Sequence, residues 1–272
     1  MKKIFFLSIV LSIAYSACQN AEEAFTRGKE MVTLKNDSGA IVEFAKAIEI
    51  NPNYAEAYYY RGNARLKMKD TADAISDFTK AIEINPKYAE AYASRGSIKA
   101  IIKDSAGAII DFSKAIELNP KSGELYCKRG QVREGMEDNK EAIADFTKAI
   151  EINPNDAEAF FFRGRATLGL KDLKSDDIKS ALADFTKTIG LNPKYAEAYF
   201  ERSIIKIVGS DIEGGMDDLN KAIEIDSLHA KAYHFRGMLK TAIGDKAGAK
   251  LDYKKSDELG FPSPSEPAKQ IE

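Results

Sequence analysis

The chain is poor in the residues from which catalytic and metal sites are most often built. Its 272 residues include two histidines, two cysteines and no tryptophan. Two cysteines cannot form a disulfide framework, and two histidines leave little material for the commonest general base and metal ligand. The 40 lysines and arginines are balanced by 42 aspartates and glutamates, which disfavours a protein that tracks nucleic-acid phosphates. The 44% of apolar residues are still enough to bury a core.

Motifs that bind nucleotides, activate a nucleophile or hold catalytic zinc are also missing. The sequence has no GxGxxG, P-loop, GxSxG or HExxH pattern. His229 and His234 are five residues apart, which is not the i, i+4 spacing of a helical metal pair. Cys127 has only Lys128 and Arg129 beside it to activate its thiol, so a small structural residue is the simpler interpretation. We therefore predict a protein that is not an enzyme, with no metal, cofactor, small-molecule substrate or nucleic-acid partner.

Long apolar runs are confined to the N-terminus. Lys2 and Lys3 precede an apolar run over residues 4–13 that only two serines interrupt. A run of about ten apolar residues behind a positive start is too short for a transmembrane helix and is typical of a secretory signal peptide. We predict this signal peptide at residues 1–17. No transmembrane segment is expected elsewhere, because no later run reaches about 18 apolar residues.

The end of the signal peptide resembles the lipobox of bacterial lipoproteins, in which a cysteine is lipidated and becomes the first residue of the mature chain. Ser16, Ala17 and Cys18 match that pattern, whereas Tyr15 stands where an aliphatic residue is usual. The resemblance implies a lipid-anchored protein of the cell envelope, with Cys18 as the lipidation site. Gln19 after the cysteine favours the outer membrane, facing the periplasm. The alternative is conventional cleavage, which would give a soluble periplasmic or secreted protein.

A period of 34 residues organises the remainder of the chain. Asn-Pro pairs recur four times at this spacing, and a fifth pair follows 39 residues later. Counting from these pairs gives seven units, at residues 21–54, 55–88, 89–122, 123–156, 157–195, 196–229 and 230–263. Residues 18–20 form a short tether, the five extra residues of the fifth unit are expected in a loop within 171–180, and residues 264–272 form a tail expected to be disordered. The units leave no room for a separate catalytic domain.

Each unit carries the pattern of two amphipathic helices. In the second unit, the second helix has apolar residues at i, i+1, i+4, i+7 and i+8, namely Ala74, Ile75, Phe78, Ala81 and Ile82. The pair Asn85-Pro86 ends this helix, because proline disfavours helical geometry at the residue before it and cannot donate a backbone hydrogen bond. We find no stretch that alternates like a β-strand, so the sequence predicts an all-α chain.

This pattern closely resembles the tetratricopeptide repeat family. The family's aromatic position early in the first helix holds Tyr58, Tyr92, Tyr126, Phe160, Tyr199 and Tyr233. Apart from Ser203 in the sixth unit, its glycine position holds Gly28, Gly62, Gly96, Gly130, Gly164 and Gly237. The resemblance implies an all-α fold, a right-handed superhelical solenoid of seven helix-turn-helix units. In the first unit Ala24 replaces the aromatic residue, so we expect its first helix to pack loosely, although Phe25 can compensate.

The resemblance also implies a function. Members of this family bind extended or helical peptides in a concave groove lined by their first helices, so we expect an interaction scaffold for a protein or peptide partner. The groove positions vary between units and are aromatic at the ends and small in the middle. The expected groove residues are Tyr59, Asn63, Gln131, Phe161, Arg165 and Phe200. Two alternatives stay open: these aromatics pack against neighbouring first helices, or the chain is a structural or self-associating envelope component.

Charged residues recur with the same period. Each unit has an arginine in its first helix and an acid in its second, such as Arg95 and Asp111. These arginines form either a ladder for an anionic ligand or a pair within each unit, and a half-buried site favours the pair. A recurring glutamate at the start of the first helix either complements the helix dipole or forms an acidic stripe for a basic partner. In the last unit, Lys250 and Asp257 replace apolar residues, which predicts a polar end cap.

Overall fold

The structure, a computed structural model, describes residues 20–262, which form fourteen helices and no β-strand. The first helices of the repeats are residues 20–33 (α1), Ala55–Lys67 (α3), Ala89–Ile101 (α5), Gly123–Gly135 (α7), Ala157–Leu168 (α9), Ala196–Val208 (α11) and Ala230–Ala242 (α13). The second helices are Asp37–Ile50 (α2), Thr71–Ile84 (α4), Ser105–Leu118 (α6), Asn139–Ile152 (α8), Ser175–Leu191 (α10), Ile212–Ile225 (α12) and Lys246–Glu258 (α14). The predicted all-α fold of paired helices is confirmed.

The helices fall into two compact units, Met1–Met136 and Glu137–Glu272. The described part of the N-terminal unit holds α1–α7, and that of the C-terminal unit holds α8–α14. The predicted signal peptide at 1–17, the predicted lipidation residue Cys18 and the predicted tail at 264–272 lie outside the described residues. Within residues 20–262, no helix has the length and apolar content needed to cross a membrane.

The ends of the second helices lie at the Asn-Pro pairs, as the sequence predicts. Helix α4 ends at Ile84, and Oδ1 of Asn85 accepts a hydrogen bond from the backbone N–H of Lys87 at 3.1 Å. This side-chain turn holds the chain in a reversed direction, while Pro86 cannot continue the helix. The next second helix begins with a cap, because Oδ1 of Asp104 accepts from the backbone N–H of Gly107 at 3.0 Å.

In five of the seven repeats, the core contains a fully buried phenylalanine ring on the second helix. The fully buried rings on the second helices are Phe44, Phe78, Phe112, Phe146 and Phe185. In the second repeat, a Cβ atom added at Gly62 would lie 2.9 Å from the Phe78 ring. Only glycine lets α3 and α4 approach this closely, so the glycine and phenylalanine positions form one packing unit.

In the sixth repeat, the glycine at the contact between the two helices stands on the second helix instead of the first. Ser203 stands at the glycine position of α11 and is fully buried. On α12, the fully buried Leu219 replaces the phenylalanine ring of the first five repeats. On α12 the small residue is Gly215, and a Cβ atom there would lie 2.5 Å from Cγ1 of Ile207. The departures at these positions therefore compensate one another in volume.

The first repeat is not loosely packed, so that expectation is wrong. Phe25 is buried, and its ring centre lies 5.6 Å from Phe44, 4.9 Å from Tyr54 and 5.4 Å from Tyr60. Ala24 beside it is fully buried. Phe25 thus supplies the aromatic contacts that the sequence leaves unfilled at position 24.

The extra residues of the fifth repeat only partly form the expected loop. Helix α10 begins at Ser175 and has 17 residues, whereas α12 has 14. A carboxylate oxygen of Asp177 accepts a hydrogen bond from the backbone N–H of Lys174 at 2.9 Å. Asp176 and Asp177 also place negative charge in the first helical turn, which suits the helix dipole. The insertion therefore lengthens a helix as well as a turn.

Both ends of the repeat array carry polar residues where other repeats pack. Lys250 and Asp257 on α14 are exposed, as the sequence predicts for a polar cap. On α1, polar residues take three positions that hold alanine or tyrosine on α3. The exposed residues are Glu23, Thr26 and Glu30, and their counterparts are Ala57, Tyr60 and Ala64. The N-terminal polar face is a second cap that the sequence analysis missed.

Candidate interaction surface

The recurring arginines and acids form bidentate ion pairs inside the repeats. Arg95 donates from Nε to Oδ2 of Asp111 at 2.9 Å and from Nη2 to Oδ1 at 2.7 Å. The Asp111 side chain is buried, and Nζ of Lys99 lies 2.9 Å from Oδ2. The same bidentate geometry occurs at Arg61–Asp77, Arg163–Asp184, Arg202–Asp218 and Arg236–Asp252. The predicted pairing within a repeat is confirmed for these five repeats.

Each paired arginine is held by further neighbours. Nη1 of Arg95 donates to the hydroxyl of Thr79 in the preceding repeat at 3.0 Å, and the guanidinium lies 5.8 Å from the ring centre of Tyr92. The hydrogen bond with Asp111 raises the pKa of Arg95, although burial acts against it. Arginines held in this way are engaged by contacts within the chain, which favours the pair over the anionic-ligand interpretation in these five repeats.

Two of the predicted groove residues belong to the core of the C-terminal unit. The side chains of Phe161 and Phe200 are only 2% and 5% exposed. The Phe161 ring centre lies 4.7 Å from Tyr195, and the Phe200 ring centre lies 4.9 Å from His229. Tyr195 and His229 directly precede α11 and α13, so these rings fill the space between consecutive first helices. At these two positions the packing interpretation is correct.

The other four predicted groove residues keep accessible surface. In the N-terminal unit, Tyr59 and Asn63 on α3 and Gln131 on α7 are half-buried. In the C-terminal unit, Arg165 on α9 is exposed, and its guanidinium lies 5.7 Å from the ring centres of both Phe161 and Phe162. Three of the six predicted residues thus lie in each unit, and four can meet a partner.

A cleft lies along α5 and α7 in the N-terminal unit. One pocket of about 300 Å³ is bordered by Tyr59, Glu90, Ala93, Ser94, Ser97, Ser122, Glu124, Leu125 and Lys128. A second pocket of about 460 Å³ shares Ser97 and Lys128 with the first and continues past Gln131. We call the two pockets together the third-repeat cleft. Two of the predicted groove residues, Tyr59 and Gln131, therefore border one site.

The third-repeat cleft exists because small residues stand where the preceding repeat has a pair of rings. At the junction of the second and third repeats, Tyr59 meets Tyr88 with ring centres 4.9 Å apart. Burial raises the pKa of the Tyr88 phenol, as expected for a ring packed in the fold. One repeat later, Ala93 and Ser122 occupy the same two positions. The volume that a ring pair fills at the earlier junction is left open at this one.

The charges at the third-repeat cleft are mixed in sign. Nζ of Lys128 lies 3.4 Å from a carboxylate oxygen of Glu124. Glu90 is exposed and has no ion-pair partner within residues 20–262. Such a surface can hold polar and apolar side chains of a partner. Sequence reasoning missed Ser122, although four equivalent positions hold rings (Tyr54, Tyr88, Tyr195 and His229) and only Asp156 is another exception.

A histidine contact joins the start of α11 to the residue that precedes α13. Nε2 of His229 lies 2.9 Å from a carboxylate oxygen of Glu197, and Nδ1 accepts from the backbone N–H of Ala232 at 3.3 Å. The contact with His229 lowers the pKa of Glu197, although burial acts against it. This glutamate is one of the recurring first-turn glutamates, and here it links α11 to the N-cap residue of α13. In the described part of the chain, no group of three or more His, Cys, Asp or Glu residues is arranged to hold a metal ion.

Family models match a continuous stretch from residue 28 to residue 156. One model described as tetratricopeptide repeat matches residues 55–88 and 123–156, and another with the same description matches residues 89–122. A model described as TPR repeat matches residues 28–69. These ranges agree with the predicted units 55–88, 89–122 and 123–156. No curated protein matches the chain.

Solved structures with the same fold extend over more of the chain. The crystal structure of YrrB is 27% identical, with a TM-score of 0.60, and the match covers 71% of this chain and 97% of that one. MamA is 27% identical, with a TM-score of 0.58, and the match covers 66% and 95%. A tetratricopeptide repeat protein from Parabacteroides merdae is 20% identical, with a TM-score of 0.67, and the match covers 89% and 94%. Residues 28–156 are therefore tetratricopeptide repeats, and the described chain has the fold of solved tetratricopeptide repeat proteins.

Proposed function

We propose that this chain is a non-enzymatic scaffold that binds a partner peptide or protein on its first helices, with the third-repeat cleft as the contact site. The observation that carries the proposal is the cleft itself, a preformed space bordered by apolar, hydroxyl and charged groups. Concave sites of this size with a few polar groups are typical of binding sites. The structure of YrrB, 27% identical, is described as a TPR protein with an unusual peptide-binding site, which supports the same use of repeats here.

The packing of the repeats suits this function because the binding surface exists before the partner arrives. The ring of Phe112 and the pair Arg95–Asp111 hold α5 against α6, and α5 carries one side of the cleft. A surface that is already rigid loses little conformational entropy on binding, so most of the entropy cost of binding comes from ordering the partner. The exposed polar residues at both ends of the array, such as Glu23 and Lys250, favour this role over end-to-end self-association.

Site-specific photocrosslinking in the cell tests the binding proposal. A photoreactive aromatic residue in place of Tyr59 lies at the cleft, and we expect it to form discrete adducts with a partner. The matched control is Ile110 on α6 of the same unit, which is 67% exposed and lies on a second helix. Equal adducts from both positions, or none from position 59, would contradict the proposal. Adducts of twice the chain mass would support the self-association alternative.

The proposal extends to location: the chain is an envelope lipoprotein, anchored through Cys18 and facing the periplasm from the outer membrane. The support is the sequence of residues 1–18 alone, with its positive start, short apolar run and lipobox-like end. Acyl chains together with a diacylglycerol give the two-signal hold that one chain cannot provide. Only residue 19 would then lie between the lipidated cysteine and the first described residue of α1.

Replacing Cys18 with alanine tests the anchor. We expect Cys18→Ala either to move the protein from the membrane fraction to the soluble fraction or to leave it as a precursor with its signal peptide uncleaved. We expect mass spectrometry of the native N-terminus to show the mass of the lipid. A Ser16→Ala variant keeps a small residue in the signal and serves as the control. A Cys18→Ala protein that has lost its signal peptide and still fractionates with membranes as the native protein does would overturn the lipoprotein proposal.

A further inference from the structure

Ring pairs close the space between consecutive first helices at several points of the chain. One ring stands one residue after the aromatic position of a first helix, and the other stands directly before the next first helix. These pairs are Phe25–Tyr54, Tyr59–Tyr88, Phe161–Tyr195 and Phe200–His229, with ring centres 4.9, 4.9, 4.7 and 4.9 Å apart. The recurrence shows that this junction is shaped to hold two rings.

The third-repeat cleft is the junction within the N-terminal unit where both rings are missing. Ala93 and Ser122 occupy the two ring positions, and the pocket of about 300 Å³ borders both residues. Tyr59 and Leu125 also border this pocket. A ring inserted from outside would therefore meet an aromatic side chain, an aliphatic side chain and two small residues, which is a favourable setting for aromatic packing.

The charges beside the cleft restrict what can lie next to such a ring. Glu90 is exposed at the pocket and has no ion-pair partner in the described part of the chain. Lys128 lies 3.4 Å from Glu124, so the cation already at the cleft has a carboxylate of its own. A positive side chain next to the inserted ring would pair with Glu90, whereas a negative one would face two glutamates.

We infer that the third-repeat cleft binds an extended peptide in which an aromatic residue stands next to a lysine or arginine. The aromatic side chain takes the place of the missing ring pair at Ala93 and Ser122, and the cation pairs with Glu90. This inference rests on the proposed peptide-binding function and names the chemistry of the partner. Residues 263–272 of this chain contain no aromatic residue, so the C-terminal segment does not fit the cleft.

The probe is a library of random seven-residue peptides displayed on phage. Peptides are selected for binding to the mature protein, purified from the organism that produces it. We expect the selected peptides to share an aromatic residue beside a lysine or arginine. In labelled synthetic copies, replacing the aromatic residue with alanine should weaken binding by about tenfold or more. Replacing the basic residue with glutamate should weaken it by about three- to tenfold, with the loss smaller at high salt.

Variants of the protein test where the aromatic side chain of the peptide binds. Ala93→Phe restores the residue type found at positions 25, 161 and 200, and we expect it to reduce affinity by about tenfold or more. Its thermal midpoint should not fall, because the new ring fills existing space. Ser122→Tyr fills the same space from the other side and serves as a second plug. Glu90→Gln should remove only the preference for a basic residue, and Glu158→Gln, its exposed equivalent in the fifth repeat, is the control.

The outcomes separate this inference from the function on which it rests. Failure to select any peptide would overturn both. Selected peptides without the aromatic–basic pair would overturn the inference and leave peptide binding in place. The same holds for peptides that bind Ala93→Phe and Ser122→Tyr as tightly as they bind the native protein. Loss of binding in both plugged variants, with unchanged binding in Glu158→Gln, supports the inference.

Discussion

Replacing Phe78 with alanine should lower the free energy of unfolding by about 3–5 kcal/mol. The Phe78 ring is fully buried, lies against Gly62 and has its centre 5.8 Å from the Tyr59 ring. Alanine would leave a cavity between α3 and α4 that a backbone held by its neighbours cannot close. Because each repeat is stabilised by the next, the weakened second repeat should also broaden the unfolding transition or divide it.

Urea unfolding followed by circular dichroism measures this effect. Ile110→Ala is the control, because Ile110 is exposed on the second helix of the next repeat and its replacement should change stability by no more than about 0.5 kcal/mol. A loss below about 1 kcal/mol for Phe78→Ala would show that the ring and glycine positions are not the packing unit described above.

Removing Asp111 should have the second large effect, a loss of about 3 kcal/mol. The carboxylate is buried and accepts two hydrogen bonds from Arg95, with Lys99 2.9 Å from one oxygen. Asp111→Ala would leave the Arg95 guanidinium without its main partner in a half-buried place. Breaking one side of such a pair costs more than the pair contributes, because the remaining charge is then poorly solvated.

A double-mutant cycle identifies the pair as the cause. Arg95→Met combined with Asp111→Ala should cost less than the sum of the single losses, by about 1–3 kcal/mol. The exposed pair Lys114–Glu117, with a separation of 2.8 Å, is the control, and its coupling should not exceed about 0.5 kcal/mol. Additive losses at Arg95 and Asp111 would contradict the assignment of these residues to structure and would reopen the anionic-ligand interpretation.

The repeat boundaries and helix ends could be predicted from the sequence because they depend on local chemistry. Asn85-Pro86 ends α4 through a side-chain turn and a missing donor, and both are properties of these two residues. The pairing of Arg95 with Asp111 could be predicted for a related reason. A constant spacing between opposite charges, repeated in a copied unit, leaves few arrangements other than a pair.

The burial of the groove aromatics could not be predicted in the same way. Phe161 and Phe200 stand at a position that faces either a partner or the next repeat, and the outcome depends on a residue 34 or 29 positions away in the sequence. Where Tyr195 and His229 are present, a ring contact satisfies the apolar surface inside the chain. Position-by-position variation therefore reveals a variable surface without showing which residues remain open on it.

Only part of the third-repeat cleft could be predicted from the sequence. Ala93 and Ser97 are among the small residues in the middle of the groove that the sequence predicts, whereas Ser122 lies in the turn before α7, outside the first helices. An open space depends on the residues that face each other between two consecutive first helices, and Ala93 and Ser122 are 29 residues apart in the sequence. The structure brings Ala93 and Ser122 to the same pocket, which explains both its position and its size.

Hydrogen–deuterium exchange of the purified protein, with and without a bound peptide or partner, tests the central claim most directly. If the first helices of the N-terminal unit form the binding surface, exchange of backbone amides should slow in α5 and α7 around the third-repeat cleft. Amides in the second helices α4 and α6 should change little, apart from a small general stabilisation. Slowing confined to α4 and α6, or to the C-terminal unit, would contradict the account.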